Sequence, residues 1–258
     1  MQAQRKPFRS NPKKSKVYEK SLSFAKELHV ISEKFDDDII RKRLRSSAVA
    51  IVENIAQSRV TMYYSNEFNY LNIAMKCINE CRSLFQMAHV RGYLPSENFH
   101  QADADAIELL KMSFSLIKRL KQYPTNIIVD KWQVEDFHRF HLYNRSIDLM
   151  QSIYWLVDSV GFEINDEQVE KAYRLAIDTP LRIASGIGQL NMKIRNKKFS
   201  EVNQNLKSLK VMLDQFQVLS HEHKDDLNNI EVCRVQVLKL LNYYFGRLKS
   251  SNRVEQGN

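Results

Sequence analysis

The chain has 258 residues, 43% hydrophobic and 27% charged, which suits one large folded domain or two ordinary ones and excludes a disordered polymer. Six glycines and five prolines are few for a strand-rich fold, which needs many turns, and no apolar run reaches the roughly 18–20 residues of a membrane span. The net charge of +9 sits largely at the start: residues 1–16, MQAQRKPFRSNPKKSK, hold six cations and no acid, and their removal leaves 33 basic against 30 acidic residues.

Residues 1–16 are therefore expected to form a flexible basic tail. Helical periodicity then marks a helix over 17–35, with Tyr18, Leu22, Ala25, Leu28 and Phe35 at three- and four-residue steps. Asp36-Asp37-Asp38 breaks it and caps a second helix over 39–59. Ser65 with Glu67 opens a third over 66–91, which stops at Gly92. Leu94-Pro95-Ser96-Glu97 is a turn and cap for a fourth over 97–122, ended by Pro124. Residues 123–134 read as a linker. The pattern then starts again, over 135–160, 167–195, 199–220 and 225–250, with a disordered end at 251–258. Four helices per half with short connections predict two antiparallel four-helix bundles, 17–122 and 135–250.

The halves echo each other. Tyr18, Ser21 and Leu22 match Tyr143, Ser146 and Ile147; Phe68 and Leu71 match Phe199 and Val202. Leu110-Lys111 and Arg119-Leu120-Lys121 recur as Leu238-Lys239 and Arg247-Leu248-Lys249. A tandem duplication is the expectation.

The second predicted helix carries AVAIVENIAQS, residues 48–58. At 100° per residue Leu44, Ala48, Ile51 and Ile55 share one core-facing stripe and Glu53 points away. Ser47, Ala50, Asn54 and Ser58 form a small polar flank, from which the Asn54 amide is expected to bond a neighbouring helix. Ile51, Asn54, Ile55 and Ala56 resemble the Ser-Ile-Pro-Ser-Asn-Ile-Ala-Glu-Gly signature of a four-helix-bundle family. That family includes the proteins encoded by intervening sequences in bacterial large-subunit rRNA genes, and the signature is similar to that of the accessory variability proteins of diversity-generating retroelements. The first half has Val52 for the Pro and Ser58 for the Gly. The second half keeps Pro180, Ile183, Ala184 and Gly186 but has Arg182 for the Asn. The run Glu67 to Ala74 resembles the family's third helix. The resemblance implies a bundle fold, RNA association, homo-oligomers for single-bundle members, and a reverse transcriptase as one partner class.

Catalytic signatures are lacking in the sequence: it has no Gly-rich phosphate loop, no HExxH and no GxSxG. Cys77 and Cys81 lie one turn apart without a completing ligand pair, and read as core. His138 with His141, and His221 with His223, lack the further ligands of a metal site. No metal, cofactor or catalytic residue is expected. Basic clusters carry the functional reading: Arg5, Lys6, Arg9, Lys13, Lys14 and Lys16 in the tail, Arg41, Lys42, Arg43 and Arg45 opening the second helix, and Lys193, Arg195, Lys197 and Lys198 joining the sixth helix to the seventh. Phe8 and Tyr18 are candidates for base stacking. The sequence thus points to a cytoplasmic, non-catalytic accessory protein that binds nucleic acid, RNA before DNA. A protein–protein scaffold without nucleic acid is the alternative.

Overall fold

A computed structural model describes residues 5–6, 11–123, 136–160, 166–219 and 223–255. Among them are eight α-helices, two 3-10 turns and no strand. The helices are α1 (Lys16–Ser32), α2 (Asp38–Val60), α3 (Tyr64–Val90), α4 (Ser96–Leu120), α5 (His141–Val160), α6 (Asp166–Ile187), α7 (Met192–Leu219) and α8 (Lys224–Glu255). The all-α expectation holds. The residues fall into two compact units, Met1–Glu135 with Ala184–Asn196, and Asp136–Ile183 with Lys197–Asn258. The expected linker at 123–134 lies outside the described residues except for Tyr123, and the expected disordered end at 251–258 is corrected where it is described, because α8 runs on through Glu255 instead of stopping at 250.

In the first unit α2 packs against α1 and α3, and α4 against α3 and α1. The periodic stripe on α2 is core as expected: Leu44, Ile51 and Ile55 are fully buried and Ala48 nearly so. Asp37 caps α2, its carboxylate accepting from the N–H groups of Ile39 at 2.8 Å and Ile40 at 2.9 Å. The α3 helix ends in a Schellman turn: Gly92, at φ 79°, places its N–H on the His89 carbonyl and the Tyr93 N–H on that of Ala88. A side chain is disfavoured at that φ, which accounts for the glycine.

The start of α3 differs from the sequence reading. No side chain caps it, and Glu67 serves in an ion pair instead of closing a cap with Ser65. The helix is buried on several faces, including polar ones, with Asn72, Asn79, Arg82 and Ser83 at most 2% exposed. Arg82 is held bidentately by Asp103 of α4, at 2.7 and 3.2 Å. Asn72 donates to Gln189 at 2.9 Å and accepts from the Leu190 N–H at 3.2 Å. The segment 184–196 therefore completes the first unit by covering the polar face of α3.

That segment corrects another boundary. The expected sixth helix, 167–195, stops at Ile187, and α7 begins at Met192 rather than 199. Asn191 is the reason: its side chain accepts from the N–H groups of Lys193 at 3.0 Å and Ile194 at 3.3 Å, capping a new helix. At Gly188, a Cβ would overlap the amide of Asn79, which is fully buried and has no hydrogen-bond partner among the described residues.

In the second unit α5 meets α8 through Arg145, whose Nε donates to Gln236 at 2.7 Å. It meets α6 through Tyr154 and Tyr173, whose rings are tilted 36° to each other with centroids 4.4 Å apart. Phe199 of α7 sets its ring edge-on to Tyr244 and Phe245 of α8. Pro180 stands inside α6, where the hydroxyl of Thr179 donates to the Leu175 carbonyl at 3.0 Å. Arg182 donates to Glu201 of α7 at 2.6 Å and to Asp178 at 3.1 Å.

Gly188→Ala is expected to cost about 1–3 kcal/mol by overpacking against Asn79, and adding Asn79→Ala should recover most of it; chemical denaturation of the two variants checks this. A second expectation concerns acid. Burial opposes the charge of Glu201, but Lys198 and Arg182 outweigh it and hold the carboxyl below its ordinary value. Asp105 is likewise lowered, burial being outweighed by Lys20, whose Nζ lies 2.6 Å away. Depressed carboxyl values give stability that is complete above the ordinary carboxylate range and is lost as pH falls through the lowered value. Melting temperature followed downward from pH 6 should show that loss, and Asp105→Asn with Glu201→Gln should flatten it.

Candidate nucleic-acid interface

The cations named from sequence divide by position. Arg5 and Lys6 are placed against the turn between α2 and α3. Arg5 pairs as an antiparallel bridge with Tyr63, and the Lys6 N–H donates to the Met62 carbonyl at 2.7 Å. Lys6 corrects the expectation of a free tail cation: it is 8% exposed, and its ammonium sits 2.8 Å from Glu67 and 3.4 Å from the Ser58 carbonyl. Arg59 reaches the other oxygen of Glu67 at 3.2 Å. A buried carboxylate at the start of α3 needs cationic partners, and the two nearest in the fold are these. Lys6 thus acts as a pin rather than a phosphate ligand. Residues 12–14 form a 3-10 turn that packs on α1 and α2, so the reading of 1–16 as structureless also fails where it is described. Lys13, Lys14 and Lys16 are exposed there. Arg9 and Phe8 lie outside the described residues.

Helix direction extends this cationic end. The start of α1, the end of α2, the start of α3 and the end of α4 come together, as the stacking of Tyr64 on Tyr123 shows, with ring centroids 3.8 Å apart and planes 5° from parallel. Lys118, Arg119 and Lys121 are exposed on the last turn of α4 and just after it. Tyr63 is 42% exposed and Tyr64 and Tyr123 are half-buried. A hydrogen bond with Tyr123 is the main cause that pushes the Tyr64 phenol above its ordinary value. Sequence reasoning missed this aromatic group, because Tyr123 is separated from Tyr63 by two helices and fell in the expected linker.

The second cluster is elsewhere. Arg41, Lys42, Arg43 and Arg45 occupy the opposite end of α2, and from Arg45 to Ser58 that helix rises about 20 Å. The α2 cluster and the N-terminal cations are not one site. Local acceptors also occupy it: Arg41 pairs with Asp38 and donates to the Phe35 carbonyl at 2.7 Å, Lys42 lies 3.1 Å from Asp38, and the Arg45 Nε donates to Ser32 at 2.7 Å. Asp38 offsets the unfavourable placing of cations at a helix start.

The third cluster lies in the first turns of α7, not in a joint between helices. Lys193 and Lys197 are exposed, Lys198 pairs with Glu201 at 2.8 Å, and Arg195 is buried at 3%. Burial removes Arg195 from any surface contact. Asn54 departs from expectation too: its amide donates to the Ala50 carbonyl of its own helix, at 2.7 Å, and not to a neighbour. With Tyr18, Glu53 and Gln57 it lines a shallow groove between α1 and α2. Ile51 and Ile55 are core, and Pro180, Ile183, Ala184 and Gly186 are all buried. Cys77 and Cys81 are buried in α3, where burial pushes the Cys77 thiol up to about 12.

Residues 13–115 match the family model of the 23S rRNA-intervening sequence protein. The match spans α1, α2, α3 and most of α4, the same bundle in which the sequence resembles that family. No curated protein and no solved structure matches the chain.

Glu67→Gln would leave Lys6 and Arg59 without their carboxylate. It is expected to cost about 1.5–3 kcal/mol, the usual value of hydrogen bonds to charged groups, and to release the N-terminal segment. Limited trypsin digestion followed by mass spectrometry should show faster cleavage after Arg5 while the helical spectrum is retained.

Proposed function

We propose that the chain is a non-catalytic RNA-binding accessory protein whose phosphate contacts lie at one end of the first bundle. The observation that carries this reading is the Lys6 pin. It holds a basic segment against the bundle, so that Arg5, Lys13, Lys14 and Lys16 are displayed beside the cations that end α4. Cations on a fixed surface bind a polyanion with less ordering cost than cations on a free tail. The family matched over residues 13–115 is named for an intervening sequence of 23S rRNA, which supports RNA as the polyanion. The resemblance to retroelement accessory proteins implies a reverse transcriptase or another ribonucleoprotein as the protein partner. Four helices in each unit support descent from a tandem duplication.

The α2 cluster contributes less in this reading, since its cations already have acceptors. A second reading, an oligomeric scaffold without nucleic acid, is favoured by the exposed Leu22 and Val49 on α1 and α2, at 45% and 55%.

Salt titration separates the two. Four tail cations engaged on a single strand give a log–log slope of about −3 between RNA affinity and salt, and the α4 cations steepen it. Replacing Arg5, Lys13, Lys14 and Lys16 by Gln, with Lys6 kept, should weaken binding and flatten the slope by about that amount. The same replacement at Arg41, Lys42, Arg43 and Arg45 should do much less. A flat, weak response of the unmodified protein, together with concentration-dependent assembly in sedimentation, would favour the scaffold.

A further inference from the structure

We propose that Tyr63 and the stacked pair Tyr64–Tyr123 form a stacking site for unpaired RNA bases, with Arg5 and Lys121 beside it taking the adjoining phosphates. This rests on the RNA-binding reading above and names the part of that surface that meets bases.

The rings are placed unlike the edge-on pairs of the cores, and among the described residues His89–Phe99 is comparably parallel, at 9°, with its centroids farther apart at 4.9 Å. In the cores, Phe24–Phe85 and Phe199–Tyr244 meet edge-on, at 81° and 73°, the arrangement that ring quadrupoles favour. Tyr64 and Tyr123 instead lie parallel at 3.8 Å. That spacing is close to the roughly 3.4 Å between successive bases in a nucleic-acid strand, so the pair is a short stack that a base can continue. The rings lie at the margin of the bundle: the buried run of α3 begins at Glu67 and Phe68, after them. Tyr63, next along the chain, is exposed and is held at its backbone by the bridge to Arg5.

Charge sets the class of ligand. Arg5 is exposed and bridged at its backbone to Tyr63, and Lys121, also exposed, precedes Tyr123 by two residues, with Lys118 and Arg119 in the turn before it. The buried acid of this end among the described residues, Glu67, is already matched by Lys6 and Arg59. A planar π surface framed by cations fits a single strand, whose bases are free to stack on side chains and whose phosphates follow at either side. A duplex keeps its bases stacked within the helix and offers such a surface nothing but its backbone.

The test uses three probes: a short oligouridine, the same chain without bases, and an RNA duplex of equal length. The full protein is compared with Tyr64→Leu/Tyr123→Leu, which removes the π faces, and with Tyr64→Phe/Tyr123→Phe, which keeps them. The leucine pair should weaken oligouridine binding about ten-fold, the scale of one base–aromatic stack. Its affinity for the abasic chain and the duplex, its salt slope and its helical melting should stay as in the wild type. The phenylalanine pair should bind oligouridine within about two-fold of wild type. Unchanged oligouridine binding by the leucine pair would overturn the stacking assignment and leave the RNA reading standing. An equal loss on all three probes would overturn it as well, making the tyrosines supports of the fold. Failure of the wild type to bind any probe at low salt would overturn the RNA reading itself, and stacking with it.

Discussion

Burial of α3 is the constraint on which the first unit depends. A helix enclosed on several sides has no solvent to satisfy its polar side chains, so each must find a partner in the chain or cost free energy. Glu67 takes Lys6 and Arg59, Arg82 takes Asp103, and Asn72 takes Gln189 and the Leu190 N–H. Each pairing places a different element. The first fixes the N-terminal segment, the second sets the register of α4, and the third seats the segment 184–196. Such pairs add little net stability over apolar packing, but breaking one strands a buried charge or amide. Their effect is therefore to select one arrangement of neighbours.

Much of this was legible in the sequence, and the division follows the range of the interactions. Helices announced by 3.6-residue periodicity were found, and the α2 core stripe was placed residue by residue, because both depend on local spacing. The Asp37 cap and the Gly92 stop depend on a few adjacent residues and were also readable. What escaped was non-local. Lys6 looks like any other tail cation until Glu67 is brought beside it. Asn191 looks like a polar residue within a helix until its cap is seen, and Gly188 before it gave too weak a stop. Arg195 sat in a basic run that sequence alone cannot sort into buried and exposed members.

The same division governs the candidate site. Cation count along the chain suggested three clusters, with the N-terminal tail foremost. Structure ranks them by what already answers each charge. At the start of α2 the first-turn acid Asp38 pairs with Arg41 and Lys42, so a phosphate there must displace it. At the start of α7 one cation is buried and one is paired. At the N-terminal end the buried acid Glu67 is balanced by Lys6 and Arg59, and Arg5, Lys13, Lys14 and Lys16 face solvent with one exposed acid, Glu19, in the first turn of α1. Surface cations outnumbering their acid neighbours are the ones whose counterions a polyanion releases, and released counterions supply a large share of the affinity for nucleic acid.

In the RNA-binding reading proposed above, the Lys6–Glu67 pair links fold to function through entropy rather than through contact with a ligand. An untethered basic arm must give up its conformational freedom each time it meets a polyanion, at about 1–2 kcal/mol for each backbone residue fixed. In this chain part of that ordering is done during folding, where α3 needs a cation for its own buried carboxylate. One lysine of the basic run is withdrawn from the surface, and its neighbours are thereby held where helix ends bring three tyrosines and the α4 cations together. A segment that reads as surplus charge in the sequence is, in the folded chain, a requirement of the most deeply buried helix.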